Sequence, residues 1–276
     1  MYPTIKRRLF TRTLLSISLA AAALAFTASA QAHSVWLLPS STVLSAAQFV
    51  TFDAAVSNDV FFFTHRPLAI DTLVITAPDG SNPEAANVSK GELRTTFDLK
   101  LEKKGTYTFD IARSGLRANW KEDGKPKRFM GTAEAFAKEV PANAQELQVG
   151  ESVAHVMTFV TMGSPTPVKP TGVGLEVMSV THPNDLVAGE PAEFQVLVDG
   201  KPAADVEVEV VSGQSRYRNA LGETRYKSDK QGKVKVNWSQ PGMYHLDAEL
   251  KDKNVSSKQA KERSLSYSVT LEVQPQ

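Results

Sequence analysis

The sequence contains no cysteine. That absence excludes thiolate metal sites, cysteine nucleophiles and the usual lipoprotein anchor, and it leaves methionine as the only soft ligand. Histidine is scarce: His33, His65, His155, His182 and His245 complete the set. No HExxH, nucleophile elbow, P-loop or dinucleotide fingerprint is present. Serine is abundant, but none sits in a recognisable catalytic frame, and no enzymatic activity is expected. No apolar run after the N-terminal segment reaches the ~18 residues of a membrane span. Charge is balanced, 31 basic against 30 acidic side chains for a net +1, so neither a broad basic surface nor a nucleic-acid partner is expected.

What is present begins with an export signal. Lys6, Arg7, Arg8 and Arg12 precede the weakly apolar LLSISLAAAALAF (14–26), and Ala30-Gln31-Ala32 has the small-x-small pattern that signal peptidase cuts. We expect residues 1–32 to be removed and the protein to work in the periplasm. Arg7-Arg8 also fits a twin-arginine signal, alongside the ordinary basic n-region. Cleavage after Ala32 leaves 244 residues, removes four basic and no acidic side chains, and takes the net charge from +1 to −3. It also makes His33 the first residue, with a free amine beside its imidazole.

Most of the remainder reads as short strands. FVTFDAAV (49–56), DTLVITAP (71–78), LRTTFDLKL (93–101), AEFQVLVDG (192–200), ADVEVEVV (204–211) and KVKVNW (233–238) alternate or are rich in β-branched and aromatic residues, with Gly, Pro and Asp turns between them. KGTYTFDIA (104–112) and PGMYHLDAE (241–249) match in placing Gly two residues before Tyr and Asp three after it. The expected fold is all-β: two immunoglobulin-like or transthyretin-like antiparallel sandwiches in tandem. Their expected limits are 33–164 and 175–276, joined by the Pro- and Gly-rich linker 165–174. One polar excursion, near 115–150, breaks the β pattern and carries a short helix over 132–140, with Thr132 as N-cap and Pro141 as stop.

The histidines are the candidate ligands. An N-terminal His33 would chelate through amine and ring together, a geometry suited to Cu(II) or Ni(II) once another imidazole joins. VWLLP directly after it should anchor the strand through Trp36 and Leu38. His65 follows Phe61–Phe63, which read as core, and sits at a strand end before Arg66-Pro67. His245 alternates with Tyr244 and Leu246, so it should share a solvent-facing side with Asp247 and Glu249. His155 shares a face with Val153, Met157 and Phe159 and reads as a satisfied, semi-buried histidine. His182, in THPND (181–185), reads as turn chemistry. Arg216 and Arg218 flank Tyr217 and share a strand face that would grip a carboxylate or phosphate.

AHSVWLLPSSTVLS, THPNDLVAGEPAEFQVLVDGKPA, SRYR and PGMYHLDAEL resemble a bacterial periplasmic family of unknown function linked with nickel and cobalt uptake, as the periplasmic component of a cobalt transport system of ABC type. The resemblance covers the whole chain after the signal segment. It implies a β-rich periplasmic protein of transition-metal acquisition, working beside an inner-membrane transporter or a TonB-dependent receptor. It carries His33, His65 and His182 over as candidate metal ligands. Relatives commonly have an aromatic at position 245, so a metal-binding His245 would be peculiar to this chain. The resulting expectation is an accessory protein that binds or takes up nickel or cobalt, or copper or iron. The alternatives are a metal-free scaffold or partner-binding module of an uptake system, and a copper oxidase built on a terminal-histidine brace.

Overall fold

The computed structural model describes residues 34–214 and 222–276. The first part of the chain gives β1 (Ser34–Pro39), β2 (Val43–Leu44), β3 (Gln48–Ser57), β4 (Arg66–Pro67), β5 (Leu73–Thr76), β6 (Ala86–Lys90) and β7 (Thr95–Leu101). A long ribbon follows: β8 (Gly105–Glu122), β9 (Lys125–Gly131), helix α1 (Ala133–Glu139) and β10 (Gln145–Met162). The last part gives β11 (Leu175–Ser179), β12 (Leu186–Val187), β13 (Pro191–Val198), β14 (Lys201–Pro202) and β15 (Glu207–Ser212). After it come β16 (Thr224–Lys227), β17 (Lys233–Asn237), β18 (Gly242–Asp252) and β19 (Arg263–Gln274). Among the described residues the fold is an all-β sandwich with one short helix. Thr132 caps that helix through its side-chain oxygen, which accepts from the Ala135 N–H.

Two main cores form among the described residues, one in each half, around a shared sheet. The first lies between β1, β3 and β7 on one side and β5, β8 and β10 on the other, centred on Phe52, Phe97 and Phe109. The second lies between β11, β13 and β17 on one side and β15, β18 and β19 on the other, around Phe194, Trp238 and Tyr267. A central sheet in the order β16-β15-β18-β19-β10-β8-β5 serves both. The described residues therefore cluster as one compact unit.

Strand β10 explains the join. Its apolar run leaves neither face for water: Val156, Val160 and Met162 enter the first core, while Met157 and Phe159 enter the second. It pairs antiparallel with β8 but parallel with β19, from Glu151 opposite Arg263 to Thr158 opposite Thr270. Antiparallel pairing throughout was the sequence expectation, and this ladder departs from it. Burial on both faces is what parallel pairing requires. Residues 165–174 also do more than tether. The Thr171 and Gly172 N–H groups donate to the fully buried Glu176 carboxylate at 2.7 and 2.9 Å.

The 115–150 excursion is mostly strand, contrary to its polar reading. β8 runs on to Glu122, turns through Asp123-Gly124 into β9, and is flanked by β10 on its other edge. Its backbone is satisfied by these ladders, and a small core of Leu116, Phe129, Phe136, Val140 and Val149 holds α1 against it. Polar side chains on the open face hide that regularity from a hydrophobic pattern.

Candidate functional site

The start of β1 is held on both faces. Val35 and Leu37 point into the first core, and Trp36, fully buried, points the other way. The Trp36 Nε1–H donates to Ser57 Oγ at 3.2 Å, and the Ser57 hydroxyl donates to the Asp59 carbonyl at 2.5 Å. Two rings close over the indole: Phe61 edge-on at 5.5 Å and Phe63 tilted at 5.2 Å between centroids. The Arg94 guanidinium lies 4.5 Å from the Phe63 centroid and pairs with Asp53 at 3.3 Å. Burial raises the Asp53 carboxyl above its ordinary value, and Arg94 opposes that rise.

Phe61 has a backbone φ of 64°, a left-handed conformation that a bulky side chain adopts only when its surroundings insist. Phe61–Phe63 are half-buried on a turn rather than core residues on a strand, which corrects the sequence reading. Phe61 and Phe63 wall the corner where β1 begins.

The register places His65 at that corner. Ser34 pairs with Ser57 and Val35 with Val56 across β1 and β3, while Val56 pairs with Arg66 across β3 and β4. His65, one residue before Arg66, therefore follows the ladder to the side of Ser57 opposite Ser34. It is exposed. His33 lies outside the described residues, as do Arg216 and Arg218. Gly213 lies at the same corner, since a Cβ on it would come within 2.7 Å of the Phe61 ring.

His245 also reaches this corner, but not as expected. It is 2% exposed, so the solvent-facing placement is corrected. Alternation put it on the right side of β18, opposite Tyr244 and Leu246, but that side is covered by β1. Its Nε2–H donates to the Val35 carbonyl at 3.1 Å, and the Phe61 ring stands edge-on to it at 6.4 Å. Only Nδ1 would remain for a metal.

His182 and His155 are used elsewhere. His182 Nδ1 accepts from the Asn184 N–H at 3.2 Å, so the ring carries its proton on Nε2, facing the Thr166 carbonyl at 3.1 Å and Thr106 Oγ1 at 3.0 Å. Burial pushes this imidazole below its usual value, against the Thr166 carbonyl and Asp185. Its two nitrogens tie Thr166 and Thr106 to the turn at Asn184, which leaves no lone pair for a metal. His155, 4% exposed, has acceptors on both sides: Asp110 Oδ2 at 2.9 Å from Nδ1 and the Val173 carbonyl at 3.1 Å from Nε2. Both nitrogens face oxygen acceptors, an arrangement that favours the protonated ring. Burial alone would lower its pKa, but Asp110, Glu176 and the Val173 carbonyl together raise it.

Of the expected ligands, the structure brings His65 and His245 to the corner where β1 starts and keeps His182 apart in its own hydrogen-bond knot. Among the described residues no three His, Asp or Glu side chains form a group able to hold a metal ion. A site at the corner fits only if donors from outside the described residues complete it. Sequence reading missed the ring wall of Trp36, Phe61 and Phe63. The turn residues Asn58-Asp59 and the three phenylalanines ahead of Pro67 were the available signal.

Comparison with known proteins adds one assignment. No curated protein matches the chain. Among solved structures, the D0-D1 domain of intimin aligns at 16% identity over 85% of this chain and 96% of its own, with a TM-score of 0.22. The adhesin InvE of Yersinia pseudotuberculosis aligns at 14% identity over 87% of this chain and 60% of its own, with a TM-score of 0.23. The FN1-FN3 domains of chicken CNTN1 align at 10% identity over 87% and 97%, with a TM-score of 0.24. Scores this low say nothing about function. Residues 30–252 match a family profile, and the chain belongs to the family described as a domain of unknown function, DUF4198.

Proposed function

We propose that this is an exported, periplasmic accessory protein of transition-metal uptake that binds a divalent ion, nickel, cobalt or copper, where β1 begins. The observation that supports the reading is the β1-β3-β4 register, which pairs Ser34 with Ser57 and Val56 with Arg66, the residue after His65. One peptide bond separates Ser34 from His33. Cleavage after Ala32 would give His33 a free amine, and amine, imidazole and the His65 ring would supply three nitrogen donors of the kind Cu(II) and Ni(II) prefer. The Nδ1 of His245 is a further donor in reserve. An inner-membrane transporter or a TonB-dependent receptor would take or supply the ion.

The test is calorimetric titration of natively processed protein with Ni²⁺, Co²⁺ and Cu²⁺, with its N-terminus sequenced. One equivalent should bind. His33→Ala, His65→Ala or one extra residue before His33 should each weaken binding at least about tenfold, since even outer-sphere partners of a metal cost that much. A mature protein beginning at Gln31 with the same affinity would sink the reading. The second reading, a metal-free partner-binding module, draws on the engagement of His155, His182 and His245 with backbone groups. It requires no stoichiometric metal and a membrane partner that co-purifies.

A further inference from the structure

The excursion and the far end of the second half enclose a cleft of about 1120 Å³. Its floor is one face of the β9-β8-β10 ribbon. Directly paired residues share a face of a sheet, so Arg128, Asn119 and Gln148 form one row, and Met130, Arg117 and Gly150 form the next. Its wall is the connection from β18 to β19, through Lys251, Lys253 and Lys261.

The lining is cationic in a chain that is not. Five basic side chains, Arg117, Arg128, Lys251, Lys253 and Lys261, face two carboxylates, Asp252 and Glu262. Asp252 is already committed, accepting from Arg263 Nε at 3.0 Å and Nη2 at 2.6 Å. Glu262 stands 3.9 Å from Lys251. Among the described residues, Arg128, Lys253 and Lys261 have no carboxylate partner, and Arg117 is within electrostatic reach of Glu249, whereas the neighbouring Lys121 and Lys127 are paired with Glu146 and Glu122. Unpaired cations gathered against a concave wall focus field into the cleft. Arg117 is oriented by its Nη2–H bond to Ser264 Oγ, and its Nε–H has no acceptor.

The wall is also fixed in place. The buried Glu151 carboxylate accepts from the Ser256 N–H at 2.8 Å, from the Ser256 hydroxyl at 2.9 Å and from the Ser257 N–H. The Glu151 N–H donates to the Glu262 carbonyl at 2.9 Å, and the Lys261 N–H to the Val149 carbonyl at 3.1 Å. A preformed cleft binds without first ordering its own walls. Met130, 75% exposed beside Arg117, adds an apolar surface.

We propose that this cleft binds a small anion carrying several carboxylate or phosphate groups. The acidic balance of the exported chain disfavours a long polyanion such as nucleic acid, while a compact one would meet only the local positive field. The cleft shares no residue with the corner proposed to bind metal, so each proposal stands or falls alone.

Calorimetry with citrate and with pyrophosphate at low salt tests it. At least one should bind, and added salt should weaken it, as expected for charge-dominated contacts. The double variant Arg128→Glu/Lys261→Glu should bind at least about tenfold more weakly, because it reverses two charge-assisted contacts, with an unchanged melting temperature. Lys100→Glu, away from the cleft, should bind as the parent does. Heat from neither probe, equal affinity in the double variant, or binding only to vesicles containing anionic phospholipid would each overturn the proposal.

Discussion

His155 has an acceptor at each ring nitrogen, and that favours its charged form. The imidazolium is held between Asp110, the Val173 carbonyl and the nearby Glu176, with Tyr267 beside it in the paired strand. Burial drives the Tyr267 phenol well above its usual range, as the negative charges of Asp110 and Glu176 also do, so it stays neutral there. Because the folded pKa of His155 is raised, its contribution is complete below the ordinary histidine value and is lost as pH rises through the folded value. Melting temperature should therefore fall above neutrality, and His155→Gln should remove that pH dependence. A pH-independent melt of the parent between pH 6 and 9 would refute the assignment. Asp110→Ala should cost about 3 kcal/mol or more, since it strands a buried charge.

At the scale of the element, the connection from β18 to β19 depends on one side chain of another strand. Glu151, on β10, collects donors from Ser256 and Ser257. Burial alone would raise its carboxyl, but those donors and Arg263 outweigh burial and hold it below the usual value. A depressed carboxylate stabilises above its unfolded pKa, and the effect is lost as pH falls through the folded one. Amides at 253–262 should lose hydrogen-exchange protection in acid before the rest of β18 and β19 does. Glu151→Ala should open the same segment at neutral pH, at about 1–3 kcal/mol for the stranded backbone donors. Simultaneous loss of protection across the whole sheet would count against a local clasp.

Elements of this kind were unevenly legible. Period-2 alternation marked β13, β17 and the buried face of β18, and Thr132 with Pro141 bounded α1, because those signals are local. What covers the second face of β18 is not local, so His245 read as solvated although β1 lies across it. Phe61–Phe63 read as core because composition cannot distinguish a ring inside a sandwich from one walling a corner. The Glu151 clasp joins residues about a hundred positions apart, and the cleft beside it joins cations from separate strands. No spacing in the sequence announces either.

The whole molecule turns on β10. Its two faces feed two cores, and its two edges pair with the last long strand of each half. A tandem of sandwiches on a linker would unfold in two steps, each half answering only to its own mutations. A shared, doubly buried strand forbids that, because neither half can lose its sheet without exposing the other's core. Met157→Ala empties space in the second core and Val160→Ala in the first. Truncating a core methionine costs about 2–5 kcal/mol, and the smaller valine rather less. At this size about 1 kcal/mol moves the midpoint by roughly 2–4 °C. Both variants should lower one common calorimetric transition, with calorimetric and van't Hoff enthalpies in agreement. Two resolved transitions, each shifted by only one of the variants, would mean that the halves fold independently and that β10 joins them without coupling them.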